Sequence, residues 1–393
     1  MINLTQLIYL DNNSTTAIDP RVLSSMLPYL TTEYGNASSK HHFGIKSFEA
    51  VKAARLNVAK LVGADPSEIY FTSGATEAIN LAIKGVAESL IGKGRHIVTV
   101  ATEHLAVLDT CKYLETQGYE ISYLSVNSEG LIDLMELESL IRIDTILVIA
   151  MLVNNETGVI LPIREISNVV HKKDTFLFSD ATQAVGKVPI NVDDLGIDLM
   201  CLSGHKFHGP KGVGALFVRQ RNNRVNIKPI IHGGGHEKGL RSGTLNVYGI
   251  VGLGSACYFA LNEMNENIEK ISALKYHLEQ SILKIDGTSI NGSVSKRLYT
   301  TSNILINDVD SDALILGLSN PEGGGPEIAV SNGSACTSQS FYPSHVLSAM
   351  GLNETEAFSS IRFSIGKYNS FDEIEFTISQ FAKIIAQLRA MNN

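Results

Sequence analysis

The chain has 393 residues, 44% hydrophobic and 18% charged, enough for one large α/β domain with a smaller companion or for two medium domains. Its net charge is −8 and neither end carries a basic run, which argues against a general nucleic-acid or anionic-membrane binder but leaves room for a local basic pocket. No apolar run reaches membrane-spanning length, "MINLTQLIYLDNN" does not read as a signal peptide, and Cys111, Cys201, Cys257 and Cys336 form no C-x-x-C pair, so a reducing cytoplasm is the expected setting.

In chain order, "EIYFTSG" (Glu68–Gly74) predicts a strand, and "ATEAINLAIKGVAESLIGKG" a helix that opens after Gly74 and ends at Gly92 or Gly94. "RHIVTVATEH", "DTILVIAMLVNNETG", "TFLFSDATQ" and "DLMCLSGHK" repeat one plan, an apolar run that finishes in polar residues. The plan fits a mostly parallel sheet buried on both faces, with ligands bound beyond the carboxyl ends of its strands. The polar tails Thr72–Thr76, Glu103–His104, Asn154–Thr157, Asp180–Gln183 and Ser203–Lys206 would then share one crevice. After about Ala260 the texture changes. "NEMNENIEKISALKYHLEQSILKI" reads as a charged helix, followed by short strands in "SNILIN", "EIAVSNG" and "SIRFSIG". Ser370 and Glu373 form a capping box for a last helix with Ile374, Ile378, Phe381, Ile385 and Leu388 on one face. The expected division is a large domain over 17–262 and a small one over 263–393, with residues 1–16 packing on the latter. "NPEGGGPE", which contains the glycine run 323–325, reads as a surface loop.

"SGHKFHGPKG" (Ser203–Gly212) concentrates lysines, histidines and glycines, as an anion site would. It is not a Walker A loop, and no G-x-G-x-x-G occurs, which weakens nucleotide readings. Pyridoxal phosphate suits the parts better. It needs a lysine for a Schiff base, a carboxylate opposite the pyridine nitrogen and phosphate donors at a helix N-terminus. Lys206, Asp180 and "SGATE" (Ser73–Glu77) supply these types at successive strand ends. Singly, each has a bland reading: a solvated lysine, a helix cap, a routine turn.

The chain resembles the cysteine desulfurases of the NifS/IscS type, class V aminotransferase relatives within the fold-type I pyridoxal-phosphate enzymes. The resemblance runs nearly end to end, through "YLDNNSTT", "YGNASS", "FTSGATEAIN", "TEHLAVLD", "NNETGVI", "DATQAVGK", "SGHKFHGPKGVGAL", "GGGHEKGLRSGTLN", "SNGSACTS" and "SSIRFSIG". It implies an α/β, fold-type I architecture with a large cofactor-binding domain and a smaller C-terminal α/β domain. It implies that Lys206 carries the cofactor and that Ser203, His205, Ala75 and Thr76 hold its phosphate. Thr244 would reach the phosphate of the neighbouring subunit in a homodimer. Asp180 would keep the pyridine nitrogen protonated, Gln183 would bond the ring hydroxyl, and His104 would stack on the ring and shuttle protons. Asn155 and Arg362 would hold the substrate carboxylate, a task that suits a planar guanidinium. Lys211 is expected to be a solvated turn residue.

Cys336 decides among the chemistries open to this fold. It sits amid Gly, Ser, Ala and Thr with no apolar run to bury it, whereas Cys201 and Cys257 lie in apolar runs and read as packing. The resemblance implies that its thiolate takes sulfur from L-cysteine, leaving L-alanine and a persulfide for an acceptor protein. Cys336 is also expected on a mobile loop, too far from Lys206 for direct attack without substrate. The acceptor pathway stays open among iron–sulfur assembly, tRNA thiolation and DNA phosphorothioation, and no direct nucleic-acid or membrane binding is expected. No resident metal is expected, although Cys336 could transiently ligate an iron–sulfur cluster. Selenocysteine lyase or class V aminotransferase is the alternative, neither of which needs a mobile cysteine; intact Lys206, Asp180, His104, Arg362 and Cys336 argue against a non-catalytic scaffold. Ser14 stands where the family usually has alanine, a small change expected to matter little. "SQSFYPSH" after the cysteine and the longer, glycine-rich "PEGGGPE" also depart from the family pattern, and both are expected to touch partner choice.

Overall fold

The structure, a computed structural model, describes residues 7–221, 224–320, 325–332 and 342–391. Cys336 and its neighbours, and most of the glycine run 323–325, lie outside the described residues, so the expectations placed on them do too. The chain opens with β1 (Leu7–Tyr9), α1 (Pro20–Thr31) and α2 (His42–Val62). Strands and helices then alternate: β2 (Ile69–Thr72), α3 (Ala75–Ser89), β3 (His96–Val100), α4 (Leu105–Glu115), β4 (Glu120–Leu124), α5 (Leu134–Leu140), β5 (Thr145–Ile149), α6 (Ile163–Lys172), β6 (Phe176–Asp180), β7 (Leu199–Ser203) and β8 (Gly214–Val218).

These strands form a seven-stranded sheet in the order β2-β8-β7-β6-β5-β3-β4. β8 runs antiparallel to both its neighbours, and the other pairings are parallel. β2 and β3 to β7 therefore end at the same edge. Continuous apolar runs become strands here because both faces are covered. One face buries Val98, Val148, Leu177, Met200 and Phe217 against α2, α6 and a later helix. The other buries Ile97, Leu147, Phe178 and Leu199 against α3 and α4. The edge strand β4 is half exposed and alternates polar with apolar residues, so no apolar run announces it. α3 stops at Ser89, short of Gly92 and Gly94. Its end closes into a turn in which the Leu90 carbonyl accepts from Lys93 and Gly94. Gly94 then passes so close to Asp144 that a Cβ would lie 2.0 Å from its carbonyl oxygen.

α7 (Val247–Ile282) is one 36-residue helix. Its first half packs on α1 and α2, where Gly254 lets Ala54 approach to 2.4 Å of a would-be Cβ. Its second half turns Ile271, Leu274, Leu278 and Ile282 into a separate core. That core is built from β9 (Thr288–Ile290), β10 (Thr301–Ile306), α8 (Ser311–Ser319), β11 (Glu327–Ala329), α9 (His345–Ala349), α10 (Glu354–Phe358), β12 (Ser360–Ser364) and α11 (Phe371–Met391) or flanked by them. β12, β10 and β9 form an antiparallel sheet, and β1 pairs in parallel with β11, bringing Ile8 and Leu10 into the same core. Ser370 and Glu373 cap α11 reciprocally, and its buried face carries Ile374, Phe381 and Ile385.

Candidate active site

At the shared strand edge lies a cavity of about 520 Å³. β7 delivers Ser203, and a single 3₁₀ turn, Gly204–Lys206, carries His205 and Lys206 into the wall. β6 ends on Asp180, and the turn after it presents Gln183. His104 caps α4, Ala75 and Thr76 open α3, and Asn155 and Arg362 close the far side. Thr244 is exposed and does not line this cavity within one chain. A larger groove of about 650 Å³ lies elsewhere, but its carboxylate, Glu237, is committed to Arg55 and to the Phe71 N–H.

The cavity fits an anion at one end. α3 begins at Gly74 with no side-chain cap, so its first N–H groups have no local acceptor from a cap. Gly74 has φ 156°, a backbone region that costs a side chain dearly, and a Cβ there would stand 3.6 Å from Ser203 Oγ. Nearby, Glu77 accepts from Ser73 N–H at 2.8 Å and from Arg241 Nε at 2.7 Å. Burial pushes its carboxyl up, but the Arg241 and Ser73 bonds prevail and hold it below the usual range. His205 rests with Nδ1 3.1 Å from Thr15 Oγ1, and burial followed by Lys206, Lys211 and Lys187 lowers it to about 4, so it is neutral near pH 7. Lys211 lines the cavity mouth as well as facing solvent, a position that its turn setting in the sequence did not reveal.

At the centre, Lys206 Nζ donates to the carbonyls of Asn13 (2.7 Å) and Ser14 (2.9 Å). Asp180 is buried, its Oδ1 held by Thr182 N–H at 2.8 Å and by the Cys201 thiol at 3.2 Å. Cys201 is thus more than packing, since it helps to orient this carboxylate. His104 Nδ1 accepts from Ala106 N–H at 3.1 Å, which places the proton of the neutral ring on Nε2. Burial first, then Lys206 and His345, keeps the imidazole below its usual range.

At the far end, Arg362 reaches out of β12. Its Nη2 donates to Asp11 Oδ1 and Ser14 Oγ, both at 2.7 Å, and its Nη1 to the Asn155 carbonyl at 3.0 Å. Among the described residues its Nε has no partner although buried, and neither has Asn155 Oδ1. Such groups are costly unless something completes them. Ser14 also donates to Asp11 Oδ1 at 2.9 Å, so the serine that replaces the usual alanine belongs to the arginine's anchor. The roles of Asn13 and Ser14 were hidden because Lys206 lies 193 and 192 positions away from them; only the polar run "DNNSTT" signals them.

A lysine, a buried carboxylate and an uncapped helix start at one edge of a flanked, mostly parallel sheet define a pyridoxal-phosphate enzyme of fold type I. A family model described as aminotransferase class-V matches residues 8–376. The chain is 49% identical over 388 residues to cysteine desulfurase IscS of Pasteurella multocida (strain Pm70), covering 98% of this chain and 94% of that one. Among solved structures it superposes on a NifS-like protein with a TM-score of 0.90 at 39% identity, covering 97% of this chain and 99% of the other. It superposes on SspA in complex with cysteine with a TM-score of 0.80 at 39% identity, over 92% and 100% of the two chains. The chain belongs to the class V aminotransferase family and, within it, to the cysteine desulfurases of the NifS/IscS type.

Proposed function

We propose that the chain removes sulfur from free L-cysteine with Lys206, His104 and Cys336 as catalytic residues, and passes it from Cys336 to an acceptor protein. The observation that carries this reading is Arg362, whose buried Nε is left without a partner on the wall that Lys206 also lines. A substrate carboxylate supplies the acceptor that this nitrogen lacks. In this reading Ser203, His205, Ala75 and Thr76 would hold the cofactor phosphate, Asp180 would keep the ring nitrogen protonated, Gln183 would bond the ring hydroxyl and Lys206 would form the covalent link. Pyridoxal phosphate supplies the electron sink that labilises the Cα proton of the bound amino acid.

The protein's own groups do the rest. Lys206 Nζ, held by the Asn13 and Ser14 carbonyls, would take up the Cα proton once free of the cofactor. His104 enters with its proton on Nε2, so at that atom it donates; to accept there it must first surrender the Ala106 bond. The Cys336 thiolate attacks the substrate sulfur. An S–S bond forms, the substrate C–S bond breaks, and the electron pair left on the carbon skeleton is protonated, giving alanine and a persulfide with no outside oxidant. Described residues on both flanks of the segment containing Cys336 bond to Arg362 or to neighbours of the site residues His104 and Asn155. Ser331 pairs with Arg362 across a β-bridge, while Ser344 Oγ donates to Glu156 and His345 Nε2 to the Glu103 carbonyl at 2.9 Å.

The division at 262/263 is retained as a functional one, a cofactor-holding part and a part that supplies Arg362 and Cys336, with the described residues of the first sixteen, 7–16, assigned to the latter. A homodimer is part of the proposal, with Thr244 serving the partner's site. The acidic net charge favours an acceptor protein over direct nucleic-acid contact. The buried free thiols Cys111, Cys201 and Cys257 accord with a cytoplasmic setting, and no described helix is long and apolar enough to cross a membrane.

The test is Arg362→Ala. It should keep the cofactor bound but raise KM for cysteine steeply, since leaving a buried charge unpaired costs about 2–5 kcal/mol. An unchanged KM would contradict the assignment.

A further inference from the structure

Lys187 is buried, yet none of the chemistry above uses it. It ends a helix-like turn that follows β6, in which Val185 N–H and Val188 N–H return to the carbonyls of Ala181 and Ala184. Gly186 closes the turn at φ 78° and lies tight against Phe207, where a Cβ would come within 3.0 Å. The ammonium is thereby directed inward, four residues from Gln183, and its Nζ donates to Gln183 Oε1 at 2.8 Å. Gln183 Nε2 in turn donates to the Asn13 carbonyl at 2.9 Å, the same oxygen that accepts from Lys206 Nζ at 2.7 Å. Lys187 and Lys206 also face each other across a small cavity of about 40 Å³ behind the active-site wall.

The donor chemistry fixes this chain of bonds in one direction. While Lys187 is charged it cannot accept, so the oxygen of Gln183 faces it. A carbonyl cannot donate, so the amide nitrogen must face Asn13. With Lys187 absent, the Asn13 carbonyl alone holds the carboxamide in that orientation.

We propose that Lys187 is a positioning residue that holds the Gln183 carboxamide with its nitrogen toward the Asn13 carbonyl that Lys206 also uses, and so sets the electrostatics of the Lys206 nitrogen. The inference rests on the reading that Lys206 carries the cofactor. Burial, then Lys206 and Arg362, lowers the Lys187 ammonium to about 7, while Lys187 itself helps to depress His205 and His208. Tyr299 and Lys367 also line the small cavity that Lys187 shares with Lys206 and His208, and apart from Gln183 no described side chain is seen to accept from the Lys187 Nζ.

The experiment titrates the visible band of the bound cofactor against pH in the holoenzyme. Lys187→Met should move the midpoint upward by about one pH unit, because the Gln183 carboxamide loses the cation that orients and polarises it. Gln183→Leu should shift it as well, and the double variant should shift no further than Gln183→Leu alone. Lys187→Gln, which restores a neutral donor, should return the midpoint toward wild type. Melting temperatures taken alongside separate these shifts from loss of fold. If Lys187→Met does not fold, Lys187→Gln set against Gln183→Leu carries the same comparison. Additive shifts in the double variant, or equal shifts in the Met and Gln variants, would overturn the positioning role. So would an unmoved midpoint in folded Lys187→Met. Lys206→Ala is the separate control: if its band persists, the reading of Lys206 fails, whatever Lys187 does.

Discussion

Ser14 shows how much rests on single atoms at this site. Its hydroxyl accepts from Arg362 Nη2 while donating to Asp11, closing a triangle whose sides are 2.7, 2.7 and 2.9 Å. Ser14→Ala removes one of two acceptors on that nitrogen and leaves Asp11 in place. A hydrogen bond to a charged group contributes about 1.5–3 kcal/mol, and sharing with Asp11 reduces the loss. The expected result is a rise in KM for cysteine of less than about tenfold with kcat little changed, read from steady-state kinetics. A fall in kcat at constant KM would place Ser14 elsewhere in the reaction. Asp180 ends an apolar run and Lys206 follows one, so both were legible as residues in the sequence, whereas Arg362 was implied only by the family resemblance. The partners of all three were not legible. The triangle joins positions 348 and 351 apart, which no local pattern connects.

At the scale of elements, the strands with unbroken apolar runs were readable and the exceptions have physical causes. β4 is an edge strand with one side open, so its sequence carries no continuous hydrophobic signal. The end of α3 was misplaced because Gly92 and Gly94 look like terminators, whereas Gly94 serves a close approach to Asp144. α7 hides any boundary near 262 because one helix serves two cores. The joint between those cores is held by charge. Asp19 caps α1 through Arg21 N–H, bonds the Arg21 guanidinium and receives Lys367 Nζ at 2.6 Å, while Glu263 on α7 pairs with both cations. The Arg21 bonds come first in holding the Asp19 carboxyl far below its ordinary value, with Lys367 adding to them against burial. A carboxylate depressed in the folded state stabilises above its unfolded value, near pH 4, and loses that contribution progressively as pH falls below it. Denaturant melts of Asp19→Asn should therefore show lower stability at pH 7, by roughly 3 kcal/mol, and a difference from wild type that narrows below about pH 4. A constant difference down to pH 2 would contradict this account of the joint.

For the whole molecule, α1, α2 and α7 pack together and still expose large apolar side chains. Leu23, Leu27, Phe43, Ile45, Phe48 and Tyr258 are between 44% and 54% exposed. Apolar surface of this kind marks an interaction site, and the proposed second subunit is the occupant that would also bring Thr244 to a phosphate. Specific activity followed through a dilution series with sizing should fall as monomer appears; full activity in a monomeric fraction would contradict the shared site. The division of labour between Lys206 and Cys336 is tested most directly by the mass of the Cys336 peptide after the holoenzyme meets L-cysteine, with alanine measured in the same sample. Wild type should release alanine and gain one sulfur atom on Cys336. Lys206→Ala should give neither product, and Cys336→Ser should bind cysteine without gaining sulfur. Sulfur retained on Cys111, Cys201 or Cys257 instead, or sustained alanine release by either variant at the wild-type rate, would contradict the account.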